Sequence, residues 1–488
     1  MPKTQRSGRG LHRYALAVCM AGGFVVFLDV TIVNVALPTI KQHMHASGSL
    51  QQWMLSGYTL AFGLMLVPAG RVGDVLGRRR LFVAGLIGFV AASAVCALAP
   101  TMAVLVAARI AQGAAGGVLT PQISATIQQL FQGADRARAF GYFASVVSVS
   151  SAVGPVAGGA LISGFGADLG WRAVFFVNVP IGAVLTPLAL RWLPRRGPAP
   201  GRRSSLDLPG SLLIGTAVVL VLLPFIQSSW ALWRWWLLAA AAAVIGGFVA
   251  RERRVADPVL DLKLFRNGSY TIGVIAVTLY FAALTPFFFI YTFTLQLGHH
   301  YSAVEAGLAL TPFALGAAAT GPVAGRWAAR YGRELVIAGL LLLGAGMLGG
   351  IWAVDATHGG GTGWATIAPF VIGGIGGIGG GMFLAPNQSL TLSAVPVSQA
   401  GSAGGLYQTG QRLGASTGVA AVVWQFYAGL TQGGSYEEAY RRGGLLIVAV
   451  IALALVLAIF DWRRARSREL SRTGVRGRIG TKAEKTPT

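Results

Sequence analysis

Apolar residues run along this chain in long blocks, each about the 20 residues that a helix needs to cross a hydrocarbon core near 30 Å thick. The blocks fall at 13–38, 50–70, 80–99, 102–129, 138–163, 173–193, 208–227, 232–250, 269–297, 303–325, 334–354, 364–388, 399–429 and 443–461. Short polar gaps rich in Gly, Pro and Arg separate them, so the pattern predicts fourteen membrane-spanning helices and an all-α polytopic membrane protein. The first block follows basic residues as a signal peptide would. It is too long for one, contains Asp29 and lacks a small-x-small cleavage site, so it reads as an uncleaved span. The blocks divide the chain into an N-terminal tail (1–12), six spans (13–193), a central segment with two spans (194–268), six more spans (269–461) and a basic tail (462–488).

Composition agrees with the pattern and narrows the class. Of 488 residues 54% are hydrophobic and 11% charged, against about 25% charged in an average soluble domain. The net charge of +23, from 39 Lys and Arg against 16 Asp and Glu, would suggest nucleic acid in a soluble chain. Here the bases crowd into alternate gaps. Lys41, Arg172, Arg234, Arg441 and Arg442 lie on one side, Arg109 and Arg412 fall within spans, and every other Lys and Arg lies on the side of the termini. By the positive-inside rule both termini are expected in the cytoplasm, and no nucleic-acid partner is expected. Cys19 and Cys96 sit inside apolar blocks, so neither a disulfide framework nor a CxxC site is present.

An internal repeat is visible. Gly70-Arg71 and Gly77-Arg78 follow the second span, and Gly325-Arg326 and Gly332-Arg333 follow the tenth, each set preceded by a proline, Pro68 or Pro322. Two halves related in this way are a transporter signature, and their eight-span offset places two inserted helices in the middle.

Four segments carry candidate chemistry. Asp29 is the one carboxylate well inside a span, and a charge at that depth is a functional candidate by default. Arg109, Gln112 and Gly113 share a face of span 4. Asp29 and Arg109 both lie about 12–13 Å from the outer ends of their helices at 1.5 Å per residue, so they share a level. The turn Gly70-Arg71-Val72-Gly73-Asp74-Val75-Leu76-Gly77-Arg78 places an acid where a helix N-terminus or an Arg can meet it, as a latch present in one conformation only. Span 5 holds Gly154-Pro155-Val156-Ala157-Gly158-Gly159, a composition suited to bending and close packing.

These motifs, in this order and in these helices, resemble those of the major facilitator superfamily. The segment Leu28–Pro38 with Asn34, Trp53 with Tyr58, and Trp171-Arg172 with Phe176–Gly182 resemble its fourteen-span drug:proton antiporter family. The resemblance implies the major facilitator fold, two six-helix bundles plus two inserted central helices, in a bacterial inner-membrane exporter driven by inward proton flow. It implies coupling roles for Asp29 and Arg109, a cytoplasmic gate at Gly70, Asp74, Gly77 and Arg78, and an antiporter hinge at Gly154, Pro155, Gly158 and Gly159. The chain departs from the pattern at Ala329, which stands where the first repeat has Asp74, and at Ser150, where a glycine is expected.

Candidate cavity residues are Asn34, Tyr58, Gln112, Tyr291, Gln296, Gln408 and Arg412. With one interior acid already committed and two interior bases, the expected ligands are lipophilic neutral to anionic aromatics rather than dications. Paired histidines, His43 with His45 and His299 with His300, lack a Cys, Asp or Glu cluster beside them, so no metal is expected. No Lys follows a Gly, so a phosphate-cradling GxxxxGK[ST] loop is missing and the energy source expected is the proton gradient, with no cofactor. A proton-coupled importer and, from a different class, a membrane enzyme are the competing readings. The expected partners are a small lipophilic substrate, protons and membrane lipid, and the expected state is monomeric.

Overall fold

The computed structural model describes residues 3–44, 48–195, 207–226, 232–255, 258–299, 301, 303–356, 364–393, 395–431 and 434–483. His45, His300 and the linker 196–206 lie outside the described residues, as do the outermost residues of both tails. The helices are α1 (Lys3–His43), α2 (Gly48–Leu76), α3 (Arg78–Leu98), α4 (Met102–Leu130), α5 (Gly133–Phe176), α6 (Asn178–Trp192), α7 (Leu208–Ile226), α8 (Trp236–Glu252), α9 (Gly268–Phe293), α10 (Ala303–Ala356), α11 (Trp364–Ser393), α12 (Ala400–Thr431) and α13 (Tyr436–Ala483). Among the described residues there is no strand.

Eleven helices are long and apolar enough to cross a membrane, and Pro209–Phe225 is a shorter apolar helix. One of the eleven, Leu308–Ala353, has 46 residues. As a straight rod it would reach about 69 Å, more than twice a hydrocarbon core. It breaks at Tyr331, whose φ of −126° and ψ of 29° leave the helical region. With that rod counted as two, and with Pro209–Phe225 and the 30-residue α11, the described residues hold fourteen helical segments, the number the hydropathy pattern predicts. In α5 the break falls at Gly166 (φ 75°, ψ 170°), a left-handed conformation that glycine adopts without a Cβ penalty. The sixth crossing therefore begins at Asp168, ahead of the 173 read from hydropathy.

α1 to α6 form one bundle, in which α4 packs on α1, α2 and α3, and α5 packs on α1 and α3. α9 to α13 form the other, in which α9 packs on α12 and α13, and α10 on α11 and α13. The bundles meet along two seams, α2 against α12 and α5 against α10 and α11. α7 lies along the first seam, where Val218 and Leu222 pack against Leu60 with Trp53 and Leu413. α8 packs against α7, and Arg251 at its end donates to Asp207 at 2.7 Å, tying the two inserted helices together.

We call the side of the α2–α3 turn at Gly77 the near face and the opposite side the far face. At the near face the seams close by direct backbone contact. A Cβ on Gly70 would lie 2.3 Å from the Gly401 carbonyl oxygen, and one on Gly141 2.4 Å from that of Gly321. Small residues at both crossings let the helices approach this closely.

Candidate functional site

Asp29 of α1 is fully buried at mid-depth, met by side chains of α4 and α6 and backed by one of α3. Arg109 of α4 donates to Oδ2 at 2.6 Å, while Gln112 of α4 and Asn178, the first residue of α6, donate to Oδ1 at 2.9 and 3.0 Å. Ser93 of α3 accepts from both Gln112 and Asn178 and donates to the Phe175 carbonyl at 2.8 Å. Arg109 also donates to Gln112 Oε1 at 2.7 Å. All three partners of Asp29 are donors, the arrangement that suits an ionised carboxylate. An ion pair this deep needs additional hydrogen bonds to offset desolvation, and the Gln112, Asn178 and Ser93 side chains supply them. The two residues that share a level on α1 and α4 are thus in direct contact, at 2.6 Å.

Ser93 and Asn178 were not singled out from sequence. Ser93 lies among alanines and reads as a packing residue. Asn178 belongs to the segment carrying the family resemblance, which was the available signal.

The glycines of span 5 fit beside this pair. A Cβ on Gly154 would lie 2.0 Å from Thr31 Oγ1, and one on Gly158 3.0 Å from the Ile32 carbonyl, so both let α5 press against α1 two or three residues from Asp29. Thr31 donates to the Ser150 carbonyl at 3.2 Å, and Ser150, in place of the expected glycine, donates to Val146 at 2.7 Å. Gly159 faces open space. The backbone stays helical through Pro155, and the break in α5 lies at Gly166 instead.

The near-face turn forms a latch between the bundles. Gly77 has φ of 101°, open to glycine alone without strain, and lets α2 reverse into α3. Asp74 accepts from Arg78 at 3.0 Å and from the backbone N–H groups of Gly401 (3.0 Å) and Ser402 (3.2 Å) at the start of α12. The acid thus meets both an Arg and a helix N-terminus, whose unsatisfied donors and positive dipole end favour it. Arg78 donates in addition to Ala125 at 2.6 Å and to the Val397 carbonyl across the seam. In the second half Arg333, the counterpart of Arg78, binds Asp461 at 2.7 Å within its own bundle. That latch does not join the halves.

The cavity candidates separate. Tyr58, Gln408 and Arg412 come together where α2, α4 and α12 meet, whereas Gln112 turns to Asp29 and Ser93. The Arg109 guanidinium lies 4.1 Å from the centre of the Tyr58 ring. Tyr58 stacks on Phe62 at 6.0 Å and 26°, and Arg412 lies 4.4 Å over Phe62. Gln408, one turn from Arg412, donates to Ser124 of α4 at 3.4 Å, and Gln388 of α11 reaches the same hydroxyl at 3.5 Å. Tyr291 is elsewhere, stacked on Phe287 at 5.4 Å inside the second bundle beside Tyr440. Gln296 is half-buried in the π-helical turn Thr294–Gly298, and Asn34 is exposed. Among the described residues no group of three metal-ligating side chains occurs.

Comparison with known proteins places this architecture. The Major Facilitator Superfamily model matches residues 19–419 and again 271–480. A probable actinorhodin transporter of Streptomyces coelicolor is 34% identical over 425 residues, covering 85% of this chain and 72% of that protein. A tetracenomycin C resistance and export protein of Streptomyces glaucescens is 34% identical over 433 residues, covering 86% and 77%. Among solved structures, the human organic anion transporter MFSD10 aligns with a TM-score of 0.67 over 94% of this chain and 100% of that one, at 16% identity, a likeness of fold alone. With the family model spanning both bundles and relatives aligned along most of its length, the chain belongs to the major facilitator superfamily.

Proposed function

We propose that this transporter is a proton-coupled antiporter that exports lipophilic aromatic small molecules, drugs or antibiotics, across a bacterial cytoplasmic membrane by alternating access. Both termini then lie in the cytoplasm, the near face is the cytoplasmic one, and the latch at Asp74 holds the cytoplasmic side shut. The bias of Lys and Arg toward the near face supports this orientation. Relatives named for the export of tetracenomycin C and the transport of actinorhodin support drug-like cargo.

The observation that carries the reading is the position of the Asp29–Arg109 pair. It is buried at mid-depth on α1, and α1 is pressed against α5 at Gly154 and Gly158. Thirteen residues further toward the near face, about 20 Å along the helix, α5 carries Gly141 against Gly321, and nearby Ser145 donates to the Ala318 carbonyl at 2.6 Å. A proton taken up by Asp29 from outside removes its charge and with it the main attraction on Arg109. The altered α1–α5 packing then biases the closure between α5 and α10. The proton leaves to the cytoplasm when that side opens, and the exported molecule moves the opposite way.

The test is dye transport in vesicles with and without an imposed pH gradient. Substrate moving against the direction of proton flow is the expected result. Movement with the protons would establish import, and indifference to the gradient would defeat the coupling assignment.

A further inference from the structure

The mid-depth stack ends on a cation that no carboxylate among the described residues balances. Arg109, Tyr58, Phe62 and Arg412 lie in series, two guanidiniums flanking two aromatic rings. Arg109 belongs to the first bundle and is neutralised by Asp29. Arg412 belongs to the second, twelve residues into α12, about 18 Å from its near-face start. Among the described residues no carboxylate and no hydrogen-bond acceptor meets its guanidinium, which lies on the face of Phe62. The side chain is half-buried, on the helix that packs across the seam against α2 and α4. The Tyr58 hydroxyl, within electrostatic reach of Arg412, is buried and also lacks a partner among the described residues.

A guanidinium at this depth is costly unless it pairs, and a ring face offsets only part of that cost. Snorkelling does not relieve it, since either face is about half a bilayer away. Among the described residues mid-depth supplies no spare acid, because Asp29 is fully engaged by three donors. The planar five-donor fork of Arg suits carboxylates in particular, and an aromatic body attached to such a group has Phe62 and Tyr58 beside it.

We infer that Arg412 is the anchor of an anion subsite at the seam of the two bundles, taking amphipathic aromatic molecules that carry one carboxylate or ionised phenol. This rests on the exporter reading for its cargo but not for its binding chemistry. An arriving anion competes with the Phe62 ring for the guanidinium, so occupancy alters a contact that joins the halves. Gln408, one turn toward the near face and bonded to Ser124, forms the polar floor beneath it. The charge of the ligand is thereby read at the interface that must open to release it.

The probes are 1-pyrenebutyrate, its neutral methyl ester and the cationic 4-(1-pyrenyl)butylamine, which share one ring system. Affinities are measured on the full-length protein in nanodiscs, corrected against protein-free nanodiscs. The wild type should bind the carboxylate about 10-fold or more tightly than the ester, the size of one charge-assisted hydrogen bond, and bind the amine most weakly. In Arg412→Gln the carboxylate-to-ester preference should collapse to near unity, and Arg412→Lys should recover part of it. A wild type that binds none of the probes or prefers the amine would overturn the subsite, as would a preference surviving in Arg412→Gln. Gradient-driven movement of the same probes in proteoliposomes is scored separately. Its loss alongside an Arg412-dependent preference would refute the exporter reading and leave the subsite standing.

Discussion

Asp29 is held by three donors from two other helices, and its role can be separated from its structural contribution by the choice of substitution. Asp29→Asn keeps an acceptor for Arg109 and removes the titratable group. Gradient-driven efflux should fall to the level of protein-free vesicles, while exchange of labelled for unlabelled substrate without a gradient continues. Retained gradient-driven efflux would remove Asp29 from the coupling path. Asp29→Leu instead strands Arg109 in the interior, at a cost of about 3–5 kcal/mol, and should lower folded yield in a thermal-stability assay. Asp29 and Arg109 were legible in the sequence because charge in an apolar block is rare and helical rise converts position into depth. Ser93 and Asn178 were not, since a short polar side chain looks the same whether it packs or orients a neighbour. Tyr291 shows the converse: its type suits a cavity, and packing with Phe287 and Tyr440 takes it into the second bundle.

Between elements, the contacts that matter are made by backbones. Gly70 meets Gly401, and the Asp74 carboxylate accepts from the two amides at the start of α12. In the proposed transport cycle these bonds are made only while the near face is shut, so Asp74→Ala would remove stabilisation from one state and no ligand contact. Transport should slow about 10-fold, the equivalent of one charge-assisted hydrogen bond, with half-saturating substrate changed by less than about 3-fold. Weaker substrate binding at unchanged maximal rate would contradict the latch. The sequence carried the acid, the turn glycine and the neighbouring Arg, but not the α12 partner. That partner depends on the register between two helices more than 300 positions apart, on which local periodicity is silent. The helix breaks show the same limit. Proline and glycine at 154–159 suggested a bend, yet α5 continues through it and breaks at Gly166, where a positive φ requires a glycine. In a membrane, neighbouring helices can hold a proline-containing helix on course.

Across the whole molecule, hydropathy made the succession of apolar helices readable, because the bilayer imposes their length. Which face is closed was not readable, since it follows from the way two bundles rest on each other. The near-face closure is made at two seams, and alternating access requires both to part. At the α5–α10 seam a Cβ on Gly321 would lie 3.0 Å from Ser145 Oγ, which puts a Ser145→Cys, Gly321→Cys pair within disulfide reach once neighbours shift by a few tenths of an ångström. The native Cys19 and Cys96 are both free and buried, so they should compete little for the bond. Oxidation of the pair should arrest transport with the near face shut, and a reductant should restore it. Each single variant should be insensitive to oxidation. Substrate offered from the far side should still bind the oxidised protein, whereas substrate offered only from the near side should not. Undiminished transport by a fully cross-linked population would mean that this seam does not open during the cycle, and that movement of the bundles about the α5–α10 contact is not how cargo crosses.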